Sequence, residues 1–230
     1  MSDEHQRRWL VRTVVAVLVT VAVVVGGPWV YATFLLREPP EPLMLATVEP
    51  TPTVPSGVVP VDGTWEVQEG SEAGYRLDEV LSGQEVTVVG RTDAVSGEVV
   101  VEEGLITSAR ISVDVGSITT DEAARDAYFR RAMDTTSYPA AVFTITEPVD
   151  ISAIGQSPEP LTVEAEGTLT MGGVTQPATA TLDAQRTVDG VAVAAVIDIL
   201  LADFDLIAPD LGWVSVEPAG SIEAMVLLAR

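Results

Sequence analysis

The 230-residue sequence predicts an all-β domain: an antiparallel β-barrel of about eight strands with one inserted helix, preceded by a transmembrane helix. Three observations carry that expectation. Apolar and polar residues alternate over much of residues 61–230, one helix-like stretch interrupts the alternation, and a long uncharged apolar run comes before it.

The apolar run comes first. Between Arg12 and Arg37 no residue is charged, and the 24 residues 13–36 are dominated by Val, Ala and Leu. As a helix they would reach about 36 Å, against roughly 30 Å of bilayer hydrocarbon. Trp29 and Tyr31 lie near the far end, where interfacial aromatics belong, and Pro28 is tolerable in a membrane helix. Arg7, Arg8 and Arg12 place residues 1–12 in the cytoplasm by the positive-inside rule, with the rest of the chain extracytoplasmic. A cleaved signal peptide has the same charge order. This run is longer than a usual signal core and has no evident small-x-small site, so an uncleaved single-pass anchor in the cell membrane is expected. Residues 37–60 hold Pro39, Pro40, Pro42, Pro50, Pro52, Pro55 and Pro60, which disfavour both helix and ladder pairing, and read as an extended stalk.

Residues 61–230 read as the working domain. In Leu161–Met171 the odd positions are Leu, Val, Ala, Gly, Leu and Met, and the even ones are Thr or Glu. In Leu105–Val115, Leu105, Ala109, Ile111, Val113 and Val115 share one side, with Ser108, Arg110, Ser112 and Asp114 on the other. Each is a strand with one buried and one wet face. Similar segments lie near 64–68, 73–80, 85–92, 97–102, 140–146, 176–186, 190–204 and 214–229. Turns are expected at Ser82-Gly83, Ser96-Gly97, Gly172-Gly173, Asp189-Gly190 and Pro218-Ala219-Gly220. The exception is Ala123–Met133, a helix preceded by the capping-box spacing of Thr119 and Glu122 and stopped by Tyr138-Pro139.

Composition removes several classes of function. The chain has no Cys, and its one His is His5, outside the barrel domain. That domain therefore has no disulfide framework, thiol nucleophile, Ser-His-Asp triad or Cys- or His-ligated metal site. All 12 basic residues are Arg, and the formal net charge of −22 disfavours nucleic acid. Residues 61–230 hold 29 acidic and 8 basic residues, a net of −21. Glu102-Glu103 and Asp203, Asp205 and Asp210 lack calcium-loop spacing and read as solvated acids. Paired carboxylates remain the only route to acid–base chemistry, and no particular pair stands out, so catalysis is not expected. No cofactor is indicated.

Several motifs then fall into a familiar order. Ser117-Ile-Thr-Thr120, Arg125-Asp126 and Tyr138-Pro139-Ala-Ala-Val-Phe143 resemble the central block of the YceI-like family. Gly167 to Thr175 resembles its Gly-x-Leu-Thr-x-x-Gly-Val-Thr hairpin, Val61 to Trp65 its opening strand, and Asp203-Phe204-Asp205-Leu206 its late Asp-Phe-Gly strand. The resemblance spans nearly all of 61–230. It implies a lipocalin-like barrel whose apolar interior holds an isoprenoid or other long-chain lipid. Two departures stand out: Tyr128 occupies a common His position, and Asp205 replaces the Gly after Asp-Phe.

On that reading the residues expected near the ligand are Phe129, Met133, Tyr138 and Phe143 at the mouth, with Ile111, Val113, Leu169, Leu182 and Phe204. Arg125 and Asp126 either orient a polar head group or cap the helix and bridge to a strand. The inward positions are often small (Ala109, Val113, Val163, Ala165, Ala180, Ala184, Val193, Ala195), which favours a barrel with room inside. The expected function is a membrane-tethered binding or carrier protein for such a lipid, acting without chemistry. The rival is a packed, acidic structural or interaction module of the cell envelope.

Overall fold

Alternation becomes strands almost wherever the sequence shows it. The structure, a computed structural model, describes residues 39–45, 61–81, 83–154, 159–210, 212 and 214–230. The expected cytoplasmic tail and transmembrane helix lie outside these residues, as does most of the stalk. No helix among the described residues is long and apolar enough to cross a membrane.

The strands are β1 (Gly63–Val67), β2 (Glu72–Leu81), β3 (Gln84–Thr92), β4 (Val95–Glu102), β5 (Leu105–Asp114), β6 (Ala140–Ile145), β7 (Val149–Asp150), β8 (Leu161–Met171), β9 (Val174–Arg186), β10 (Val191–Leu200) and β11 (Val214–Ala229). The helix α1 spans Ala123–Ala132. All pairings are antiparallel, and eight strands form a closed ring in the order β1, β4, β5, β6, β8, β9, β10, β11, with β1 returning to β11. The 16 residues of β11 make closure possible. One of its edges pairs with β10, the other first with β2 and then, at Leu228 and Ala229, with β1. Between β1 and β2 the chain bends, and the buried Ser71 hydroxyl accepts the Leu227 N–H at 3.0 Å in place of a ladder bond.

Two expected turns and one expected strand end moved, each for a local reason. Ser96-Gly97 is not a turn. Gly97 sits inside β4, where a side chain would lie 2.2 Å from the Arg110 carbonyl, and the break falls at Asp93-Ala94. Pro218-Ala219-Gly220 is a bulge within the continuous β11, where the register against β2 shifts and Pro218 has no N–H to donate. The segment expected as strand to residue 204 leaves the ladder at Leu200 and ends in a 3₁₀ turn, Leu201–Phe204. Asp205 closes that turn in the left-handed region at φ 56°, a conformation that glycine enters freely and that Asp tolerates better than most residues.

The capping box is also absent. Thr119 instead exchanges both backbone hydrogen bonds with Arg91 of β3, and Glu122 caps α1 by accepting the Ala124 N–H. At Gly172-Gly173 both residues have positive φ, 57° and 82°, as a two-residue type I′ hairpin requires. Gly173→Ala is expected to cost about 1–2 kcal/mol in strain and to lower the thermal midpoint. Gly172→Asn, favoured at the first turn position, should leave the midpoint nearly unchanged in the same scan.

Residues 39–45 lie against the barrel's outer wall. Ile222 and Ala224 line the interior, so Glu223 between them faces outward. There it binds Arg76 Nε at 2.7 Å and Arg91, and it accepts the Leu43 N–H, while Arg76 donates to the Pro40 carbonyl. This part of the expected stalk is held to the domain because Arg76 and Glu223 have hydrogen-bonding capacity beyond their ion pair.

Candidate functional site

Strand parity builds the interior. Odd residues of β2, β8 and β10, odd residues of β5 from Ala109 onward, and even residues of β9 and β11 point inward, and most are Ala, Val, Ile or Leu. At the start of β5 a register shift against β4 reverses the parity, so Ile106 lines the cavity and Leu105, expected on the side of Ala109, is exposed. They enclose a cavity of about 670 Å³, within the range of roughly 300–1,000 Å³ typical of small-molecule sites. Among the described residues that line it, only Tyr75, Glu79, Glu122, Arg125 and Tyr128 carry a polar side-chain oxygen or nitrogen. A second space of about 50 Å³ lies toward Trp65, Ile151 and Ile154, which are buried. Trp65 is fixed there by a 2.8 Å bond to the Val61 carbonyl, with the Arg230 guanidinium over its ring.

The cavity opens beside α1. Tyr128, 46% exposed, and Ile207, 85% exposed, both line it. The helix covers part of the opening because residues spaced three and four apart, Arg125, Phe129 and Ala132, face inward together. Phe129 stacks on Tyr75 with ring centroids 5.0 Å apart. Behind Tyr75, Gly90 leaves room for the ring: a Cβ there would lie 2.5 Å from it.

Seven of the residues expected around a ligand line this cavity: Ile111, Val113, Phe129, Met133, Phe143, Leu169 and Leu182. So do the small residues Ala109, Ala165, Ala180, Val193 and Ala195, whereas Val163 and Ala184 face the smaller space. Tyr138 and Phe204 do not line the cavity. Tyr138 is 46% exposed and lies over the hairpin turn, where a side chain on Gly173 would touch its ring. Phe204 leaves the strand with the 3₁₀ turn, so strand parity no longer aims it inward, and it packs into the buried core.

The Arg125-Asp126 pair divides. Arg125 lines the cavity, with Nη2 bonded to Glu79 Oε1 at 3.1 Å and Nη1 to Asp121 Oδ1 at 2.6 Å. Asp126 is buried away from the cavity and accepts the Thr120 N–H and hydroxyl at 2.8 and 2.7 Å, which seats the start of α1. The bridge from helix to strand is therefore present, through Arg125 to β2. Glu79 escaped the sequence reading, although its signal was visible: it follows Ala73, Tyr75 and Leu77 in the inward phase of β2. Burial pushes the Tyr75 phenol up to about 12; Arg125 opposes this, and Asp126, Glu79 and Asp121 reinforce it. Among the described residues no cluster of three or more His, Asp or Glu could hold a metal ion.

A closed antiparallel barrel around an apolar, open-mouthed cavity has the geometry of a ligand-binding barrel. The YceI-like domain family matches residues 65–226, and the chain belongs to that family. Among solved structures it is similar to a polyisoprenoid binding domain from Saccharophagus degradans implicated in plant cell wall breakdown. The two share 19% identity and a TM-score of 0.56, over 72% of this chain and 98% of that one. It is also similar to BcnA of Burkholderia cenocepacia, at 17% identity and a TM-score of 0.52, over 68% of this chain and 96% of that one. No curated protein matches the chain.

Proposed function

We propose that the protein binds or carries a polyisoprenoid or other long apolar lipid in its barrel, outside the cytoplasm and tethered to a membrane by residues 13–36, without catalysis. The observation that carries the lipid reading is the cavity of about 670 Å³ with an almost wholly apolar lining. A barrel packed solid, as the interaction-module reading requires, has no such space. Family membership supports the lipid class, because the polyisoprenoid binding domain from Saccharophagus degradans is one of the structural neighbours. The tether and the location rest on the uncharged run between Arg12 and Arg37 and on the arginines before it.

Energetics shapes the role. Removing a prenyl tail from water is worth about 0.8 kcal/mol per buried CH₂, but a lipid already in a bilayer gains little by entering the barrel. Such a protein shields or ferries its lipid rather than extracting it against the membrane. A tether raises the effective concentration of barrel at the bilayer surface.

The test is a thermal titration of the full chain in non-ionic detergent with a long-tailed isoprenoid quinone. Saturation at about 100 times Kd adds about 2.7 kcal/mol, which raises the midpoint by roughly 5–10 °C for a domain of this size. A midpoint unmoved by isoprenoids and by straight-chain lipids alike would overturn the reading.

A further inference from the structure

Tyr75 brings a hydroxyl into the apolar part of the cavity. Its residue is 8% exposed, it lines the cavity, and its hydroxyl has no hydrogen-bond partner among the described residues. Phe129 on one side and Gly90 on the other hold its ring in place. The ring is fixed and its hydroxyl faces the cavity without a protein partner, so it is placed to meet a polar atom of whatever fills the space.

The charges nearby say what kind of atom. Glu79, Glu122 and Arg125 are the ionisable carboxylate and guanidinium groups lining the cavity, and Asp121 stands just outside it on Arg125. Among the described residues, three carboxylates and one guanidinium therefore lie at or beside this end of the cavity, and the guanidinium is bonded to two of the carboxylates, Glu79 and Asp121. Arg130 and Arg131 follow on α1 but do not line the cavity. A phosphate brought here meets a site that is net negative among the described residues, where the Arg125 cation is already engaged, in a domain of net charge −21. An uncharged oxygen meets no such repulsion.

We infer that the Tyr75 hydroxyl, beside the closed Glu79–Arg125 pair, forms a head-group site that accepts an uncharged hydroxyl or quinone-type carbonyl and rejects a phosphate. The tail then runs into the lumen past Phe143 and Leu169. The inference rests on the lipid-binding reading and narrows it to neutral-headed isoprenoids. Because burial holds the phenol protonated to about 12, it remains a donor throughout the physiological range.

Undecaprenol and undecaprenyl phosphate share a tail and differ only at the head. The full chain in non-ionic detergent is offered both in equal amounts, and bound species are counted by native mass spectrometry. The expected result is at least roughly tenfold more alcohol than phosphate bound. Tyr75→Phe should lower alcohol binding roughly 5- to 10-fold, the worth of one buried hydrogen bond, and leave phosphate binding unchanged. Glu79→Gln should raise phosphate binding by freeing Arg125. Phosphate bound as well as or better than alcohol by the unmodified chain overturns this inference and leaves the lipid reading intact. Binding of neither lipid overturns both. The comparison in the unmodified chain decides the matter even where a variant fails to fold.

Discussion

Replacing Ala195 or Ala224 with Phe is expected to leave the thermal midpoint within a few degrees of the parent while abolishing lipid uptake. The two residues are cross-strand partners on β10 and β11, Ala195 also pairs with Leu182 of β9, and all three line the cavity. In a packed interior an added ring displaces its neighbours and costs about 1–3 kcal/mol, a fall of roughly 2–12 °C for a domain of this size. Here the ring enters a space of about 670 Å³, so it gains dispersion contacts without forcing neighbours off their rotamers. The same ring blocks the path of a tail. Calorimetry and lipid extraction on the same samples give both readouts. Destabilisation of several kcal/mol would show that the interior has no such room. Unchanged uptake would show that the lipid lies elsewhere.

Glu223→Leu is expected to destabilise the protein by about 3 kcal/mol, with a fall in thermal midpoint to match. The carboxylate is 3% exposed and stands between Arg76 and Arg91, so removing it leaves two cations facing each other across the β11–β2–β3 wall. Burial alone would raise its pKa. The bonds from Arg76 and from the Leu43 N–H, together with Arg91, outweigh that and hold it below the usual carboxylate range. Its folded pKa thus lies below its unfolded one. The stabilisation is fully present above the unfolded value and is lost as pH falls through the depressed folded value. Urea midpoints of the parent should therefore drop on acidification below about pH 4.3, and those of Glu223→Leu should drop less. Parallel pH profiles for the two chains would contradict this assignment.

The parts of this fold written in local pattern were legible. Alternation in Leu161–Met171 fixed both the strand and its inward face, and Gly172-Gly173 fixed the following hairpin. The limits of α1 were read to within a residue. Signals that serve two purposes misled. Gly97 and Gly220 resemble turn residues, yet one allows β4 to approach β5 and the other ends a bulge. Phe204 illustrates a different limit, since parity aims a side chain only while the strand continues.

The site was legible where it depended on parity, as at Ile111, Val113, Phe143, Leu169 and Leu182. The polar spot was half legible. Arg125 was singled out, but its partner Glu79 lies 46 residues earlier, and only strand pairing and helix docking bring the two together. The Arg76–Glu223 pair spans 147 residues and follows from β2 lying beside β11, which no local pattern encodes.

The central claim, that the barrel interior holds a long apolar lipid, is tested most directly on full-length chain purified from an envelope that contains isoprenoid lipids. Native mass spectrometry and solvent extraction of that sample would then be read together. The account predicts one long-chain isoprenoid per chain, absent from the Ala195→Phe protein. A bare sequence mass, with no uptake of supplied quinones or polyprenols, would contradict it.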